Sequence, residues 1–189
     1  GFAKHCFAPH EPAGCAKPAV GQGAGGRPSM SEGSKFTGTR AVSPQHAFDT
    51  GRLADWLRAH VEGFAGELTV EQFKGGQSNP TFLLSAGNKK YVMRRKPPGK
   101  LLPSAHAVDR EYRVISALAQ TDVPVARSYA LCEDDAIIGT AFYVMDYVAG
   151  RILWDPALPG MAPAERTALF NEMNRVIAAL HSVDYASVG

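Results

Sequence analysis

Two charged side chains have the types and the setting that binding of phosphate groups requires. Arg94 lies in a basic, strand-like segment, and Glu111 follows in a segment with helical spacing. Because side chains alternate between the two faces of a strand, Arg94 shares a face with Val92 while Arg95 lies on the other face. A permanently charged guanidinium beside a small apolar side chain is suited to line a nucleotide pocket. A shift of the strand by one residue would exchange the roles of Arg94 and Arg95.

Glu111 falls on the apolar side of its predicted helix. At about 100° per residue, five apolar residues share a stripe with it: Val108, Tyr112, Ile115, Leu118 and Ala119. A carboxylate in such a stripe needs a partner, and Arg94 is the predicted one. Periodicity alone favours a simpler interpretation, in which Glu111 borders the core and reaches water or pairs with an arginine of its own helix.

A glycine-rich turn precedes the basic strand. Its residues are Gly75, Gly76, Gln77, Ser78 and Asn79. The flanking segments 68–73 and 81–85 are predicted strands, and a second turn at 86–89 leads into the basic strand, so that three antiparallel strands follow one another. Backbone groups approach phosphate closely at such a turn, although most turns of this kind only join two strands.

The later segments complete a predicted α+β fold. Residues 129–132 and the apolar run 141–151 are predicted strands. Helices are predicted from Asp49 to Val61, from Ser104 to Gln120 and from Pro163 to Ser182. His181 lies on an apolar stripe of the last helix, and we expect it to pack there and not to catalyse.

The order of these segments is typical of a known family, and the resemblance rests on several short motifs. These are residues 75–82, 91–99, 101–106, 109–113, 138–145, 158–160 and 180–184. With them, the chain resembles the aminoglycoside phosphotransferase and choline kinase-like (protein kinase-like) family. Within it, the resemblance is greatest to the N-terminal kinase-like domain of acyl-CoA dehydrogenase family members 10 and 11.

The resemblance implies a protein kinase-like N-terminal lobe, built of a five-stranded antiparallel sheet and one packed helix, and the first helix of a C-terminal lobe. The turn of residues 75–79 would cover the phosphates, Arg94 would replace the family's strand lysine, and Glu111 would be its helix partner. Val92 would contact adenine. The hinge that holds adenine would be Met145, Asp146, Tyr147 and Val148, and we expect their backbone N–H and C=O groups to be free toward the cleft.

The implied cofactors are ATP and Mg²⁺, and the implied partners are an adenine nucleotide and a small molecule that accepts phosphate on a hydroxyl, with a hydroxyacyl acceptor favoured. The family's His-Gly-Asp-like catalytic loop and later aspartate do not occur before Gly189. We therefore expect no catalytic or metal-binding residue in this chain, and an ATP-binding lobe that is inactive alone. The alternative is a non-catalytic binding or regulatory module of an acyl-CoA dehydrogenase-type multidomain protein.

Composition restricts the other function classes. A net charge of +2 with 20% charged residues does not favour a nucleic-acid binder, and no apolar run reaches the roughly 20 residues of a membrane span. The predicted organisation is an upstream, disordered or targeting segment at 1–47, a nucleotide-binding lobe at 48–150 and the start of the C-terminal lobe at 151–189. Three cysteines without a disulfide pattern suit an intracellular compartment, with mitochondrial, peroxisomal and cytoplasmic locations left open.

Two patterns in the first 29 residues resemble known sites without their context. The segment Gly21 to Gly26 matches a dinucleotide-binding fingerprint, but no strand precedes it and Pro28 follows it. The other pattern is a set of potential zinc ligands without a familiar spacing: His5, Cys6, His10 and Cys15. We interpret neither as a site.

Overall fold

The fold is organised around a six-stranded antiparallel sheet. The structure is a computed structural model that describes residues 37–75, 78–99, 106–153 and 155–188. The strands are β1 (Thr39–Arg40), β2 (Leu68–Phe73), β3 (Thr81–Ala86), β4 (Lys89–Arg95), β5 (Ser128–Cys132) and β6 (Phe142–Asp146). Their order across the sheet is β1-β2-β3-β4-β6-β5. The helices are α1 (Thr50–His60), α2 (Val108–Leu118), α3 (Asp135–Ile138), α4 (Pro163–His181) and α5 (Tyr185–Val188).

The strand register gives the sheet two chemically different faces. On one face, Arg94 of β4 lies between Thr81 of β3 and Tyr143 of β6. The next row on that face joins Leu83, Val92 and Met145. The residues between these rows, which include Phe82, Met93 and Val144, point to the other face and are fully buried. The pairing therefore puts the Arg94 guanidinium, the Tyr143 phenol and the apolar side chains of the second row on one surface of the sheet.

Helix α1 helps to bury the apolar face. Leu53 and Leu57 of this helix have no exposed surface and belong to the same core cluster as Phe82 and Met93. The helix begins after Asp49, whose carboxylate accepts a hydrogen bond from the Arg52 backbone N–H at 3.0 Å. This core fixes the sheet from one side and leaves the face that carries Arg94 for the site.

Helix α2 packs against β5 and β6. Val108, at its first position, is 1% exposed. The helix begins at Val108 and not at Ser104, because His106 has a left-handed backbone with φ of 58° and Ala107 is not helical. Residues 101–105 lie outside the described residues.

Three further parts of the fold differ from the prediction. The sheet has a sixth strand, β1, which pairs Thr39 with Phe73 and lies before the predicted lobe boundary at residue 47. A short helix that was not predicted, α3, lies between β5 and β6. His181 is exposed and not packed, and its helix also exposes an apolar face. That face consists of Phe170, Met173, Ile177 and Leu180, each between 46% and 49% exposed.

Several predictions concern residues that the structure does not describe. They are the segment 1–29 with its dinucleotide-like and zinc-like patterns, Gly76 and Gln77 of the turn, and the first residues of the predicted second helix.

Candidate functional site

Arg94 and Glu111 form the ion pair that strand alternation predicts. Arg94 Nε donates to Glu111 Oε2 at 2.9 Å, and Arg94 Nη2 donates to Oε1 at 3.2 Å. This is the bidentate geometry in which a guanidinium pairs with a carboxylate. The predicted pairing is therefore confirmed, and Glu111 does not pair with an arginine of its own helix.

Two further side chains donate to Glu111. Asn79 Nδ2 donates to Oε1 at 2.8 Å, and the Tyr143 hydroxyl donates to Oε2 at 3.1 Å. Burial of the Tyr143 ring, with the Glu111 charge beside it, raises the pKa of the phenol well above its usual value. The hydroxyl therefore remains a donor throughout the physiological range, and Glu111 joins the glycine-rich turn, two strands and α2.

His106 extends this cluster. Its Nδ1 lies 2.9 Å from Asn79 Oδ1. The prediction included Asn79 but not His106 or Tyr143. Tyr143 is adjacent to Arg94 only because β6 pairs with β4, and His106 reaches Asn79 from the left-handed position two residues before α2. Neither relation has a periodic signal in the sequence.

Arg95 points to the opposite face of the sheet, where it is buried and bonded to other parts of the fold. It is 3% exposed, its Nε donates to Thr140 Oγ1 at 3.1 Å, and its Nη1 donates to the His46 carbonyl at 3.3 Å. Its guanidinium also lies 5.3 Å from the centre of the Phe48 ring. The register therefore selects Arg94 as the cation of the cleft.

A pocket of about 400 Å³ lies where adenine is predicted to bind. Val92 and Met145, which are neighbours in the sheet, form part of its wall. The other lining residues are Phe73, Thr81, Ala126, Asp146, Tyr147, Val148, Gly150, Arg151 and Ile152. The pocket thus contains the predicted Val92 and the whole predicted hinge, residues 145–148.

One expectation about the hinge backbone is wrong. The Asp146 N–H is not free, because it donates to the Arg127 carbonyl at 2.8 Å. The Asp146 carboxylate also accepts from the Tyr129 hydroxyl at 2.5 Å. Tyr147 and Val148 follow the end of β6, so the backbone groups that a ligand could reach begin one residue later than the Asp146 N–H.

A larger cleft of about 910 Å³ continues from Met145 to the Arg94–Glu111 pair. Ser78 and Asn79 of the turn line it, together with His106 and Arg110. Gly75 lines a separate, smaller pocket together with His46 and Gln72. The apolar pocket and the charged cleft therefore adjoin at Met145, which lines both.

Within the described residues, no group of three or more His, Cys, Asp or Glu side chains is placed to hold a metal ion. Among the same residues, no helix is both long and apolar enough to cross a membrane.

A profile described as the phosphotransferase enzyme family matches residues 69–189. The chain belongs to this family. The resemblance inferred from the motifs is confirmed, and membership implies in general a nucleotide, a divalent metal ion and a small-molecule acceptor. A crystal structure from Ralstonia eutropha JMP134, of a protein provisionally assigned as an aminoglycoside phosphotransferase, superposes with a TM-score of 0.67 at 62% identity. The match covers 76% of this chain and 41% of that one, and it confirms the predicted kinase-like α+β fold.

Curated relatives of this phosphotransferase-family chain are much longer proteins. Acyl-CoA dehydrogenase family member 11 of Rattus norvegicus is 47% identical over 155 residues, which cover 80% of this chain and 20% of the relative. Acyl-CoA dehydrogenase family member 10 of Mus musculus is 50% identical over 147 residues, which cover 77% and 14%. The chain therefore spans a fifth or less of the length of these relatives.

Proposed function

We propose that this chain is the ATP-binding lobe of a phosphotransferase that phosphorylates a hydroxyl group of a small molecule. The observation that carries the proposal is the Arg94 guanidinium, fixed by Glu111 at 2.9 Å in a cleft that adjoins an apolar pocket. A cation held at the end of an apolar pocket matches a ligand with a flat apolar ring at one end and phosphates at the other.

The residues of the cleft fit a nucleotide by their donor chemistry. Val92 and Met145 would pack against the adenine ring, and backbone groups of Tyr147 and Val148 would pair with its edge. Of the five N–H donors of a guanidinium, Arg94 gives two to Glu111, so three remain for phosphate oxygens. ATP, when bound with Mg²⁺, supplies the phosphoryl group that is transferred.

An arginine at this position can pair with Glu111 and donate to phosphate oxygens at the same time. An ammonium has three donors, whereas the planar guanidinium holds a carboxylate with one edge and keeps another edge for phosphate. We therefore infer that Arg94 positions the phosphates, and that it does so only while Glu111 holds its orientation.

For the acceptor we propose a hydroxyacyl compound. The support is that the curated relatives are named as acyl-CoA dehydrogenase family members. A protein of that name acts on acyl compounds, so we propose that the acceptor of phosphate carries an acyl group. We propose further that this chain alone transfers no phosphoryl group, because the described residues contain no candidate metal cluster and the reaction depends on metal-assisted charge neutralisation.

Calorimetric titration with ATP tests the nucleotide site. We expect a dissociation constant in about the high micromolar range, weakened by about tenfold or more in Arg94→Ala, with adenosine binding unchanged. Arg113→Ala is the matched control, because Arg113 lies on the same helix as Glu111, pairs with Asp109 and has a 72% exposed side chain. Absence of binding at millimolar ATP by folded protein would refute the proposal.

Phosphoryl transfer tests the acceptor. The chain, and a longer protein that continues beyond residue 189, are incubated with ATP, Mg²⁺ and either a hydroxyacyl thioester or an aminoglycoside. We expect product only from the longer protein and only with the hydroxyacyl acceptor. Turnover of the aminoglycoside alone would refute the acceptor class. ATP binding without transfer to either acceptor would favour the regulatory module.

A further inference from the structure

Both ends of the Asn79 amide are engaged by other side chains. Asn79 is 5% exposed and lies in the turn between β2 and β3. Its Nδ2 is 2.8 Å from Glu111 Oε1, and its Oδ1 is 2.9 Å from His106 Nδ1. Its partners therefore lie on α2 and in the segment that leads into α2, and the amide bridges the turn to both.

The chemistry of Glu111 fixes the orientation of this amide. An ionised carboxylate only accepts hydrogen bonds, so the amide nitrogen must face Glu111 and the amide oxygen must face His106. The oxygen also only accepts, and His106 must therefore carry a proton on Nδ1. The bonds form a directed chain, from His106 to Asn79 to Glu111, where the donors of Arg94 also converge.

We propose that Asn79 is a positioning residue for the phosphate-binding arginine, and that His106 anchors it. This inference rests on the proposed function. Without Asn79, Glu111 Oε1 would keep only the longer bond to Arg94 Nη2, at 3.2 Å, and the carboxylate and the guanidinium would sample other rotamers. Asn79 uses one Nδ2 hydrogen for Glu111 and its Oδ1 for His106. Only the second Nδ2 hydrogen remains, so Asn79 acts on phosphate mainly through Arg94.

Three substitutions test the hydrogen bonds of the bridge. Asn79→Asp replaces the donor to Glu111 by an acceptor, so that two carboxylates face each other. His106→Asn keeps a donor near the position of Nδ1, and asparagine tolerates the φ of 58° at this residue. His106→Ala removes the donor. We expect Asn to substitute for His106 and Ala not to do so.

The first experiment measures dissociation constants for ATP and adenosine. We expect Asn79→Ala, which removes the bridge without adding a charge that repels phosphate, to weaken ATP by about tenfold or more. We expect it to leave adenosine within about twofold, and to add nothing in an Arg94→Ala background. Full additivity in that background would show that Asn79 contacts the phosphates directly. Equal losses for ATP and adenosine would show a general structural role. Either result would overturn the proposal.

The second experiment does not depend on nucleotide binding. In ¹H–¹⁵N spectra, the Arg94 Nε–H of the unliganded protein should give a resolved, slowly exchanging signal, identified by its loss in Arg94→Ala. We expect Asn79→Asp and His106→Ala to broaden it, and His106→Asn to retain it. An unchanged signal in Asn79→Asp would refute positioning. If the signal responds as expected but no variant binds ATP, then the proposed function fails and the positioning role stands.

Discussion

Glu111 accepts four hydrogen bonds from three side chains, so replacing it with glutamine should destabilise the fold. The glutamine oxygen would keep the donors at the Oε2 position, which are Arg94 Nε at 2.9 Å and the Tyr143 hydroxyl at 3.1 Å. The glutamine nitrogen would then face two other donors, Asn79 Nδ2 and Arg94 Nη2. The substitution therefore removes two charge-assisted bonds while the volume of the side chain stays the same.

The magnitude follows from these two bonds and from their exposure. A hydrogen bond to a charged group contributes about 1.5 kcal/mol at the lower end of its range, so the loss is about 3 kcal/mol. The side chains of Arg94 and Glu111 are 30% and 33% exposed, so water compensates for about 1 kcal/mol of that loss. We expect the free energy of unfolding to fall by about 2 kcal/mol, which lowers the urea midpoint by about 1 M at a typical denaturant slope.

Urea unfolding followed by tryptophan fluorescence measures this change. Trp56 is a suitable reporter because its ring packs edge-to-face on the core residue Phe142 at 4.8 Å. Glu172→Gln is the matched control. Glu172 also pairs with an arginine, Arg175, at 2.6 Å, but on an exposed helix surface, and we expect no measurable shift. If the midpoint of Glu111→Gln shifts no more than that of the control, at an unchanged slope, then the reasoning about the Glu111 cluster is refuted.

Three further predictions concern other parts of the fold. Arg95→Ala should lower the free energy of unfolding by about 3 kcal/mol without changing ATP affinity in titrations, and weaker binding by folded variant would contradict its structural role. Burial raises the pKa of Tyr129 to about 12 from 10.0, so between about pH 10 and about pH 12 the unfolded chain loses this proton while the folded chain keeps it. The free energy of unfolding, measured with urea, should therefore fall over this range, and less steeply in Tyr129→Phe. Identical pH profiles for the two proteins would count against this. Gly66→Ala should cost at least about 2 kcal/mol, because φ is +97° and the new Cβ would lie 2.9 Å from the Gly87 nitrogen; Gly150→Ala, with nothing within 4 Å, is the control, and a thermal midpoint equal to that control would refute the strain.

The short-range patterns of the sequence determined most of the elements. Alternation and turn residues predicted β2 at its observed bounds and β3 within one residue, and the Asp49 cap predicted the start of α1. These signals are local, because side-chain period and capping depend on residues a few positions apart. Strand β1 has only two residues, and its place in the sheet depends on pairing with β2, which no local pattern specifies.

The site divides in the same way. The sequence alone predicted that Arg94 and Val92 share a face and that Glu111 lies in an apolar stripe, because strand and helix periods fix relative facing. It left open whether Glu111 pairs with Arg94, pairs within its own helix or reaches water. Only the tertiary structure decided which groups complete the cluster. Pairing of β4 with β6 brings Tyr143 beside Arg94, and the packing of α2 on the sheet brings His106, just before that helix, to Asn79. Contacts between distant segments depend on how the sheet and α2 pack together, and that packing is a property of the whole fold and not of any one segment.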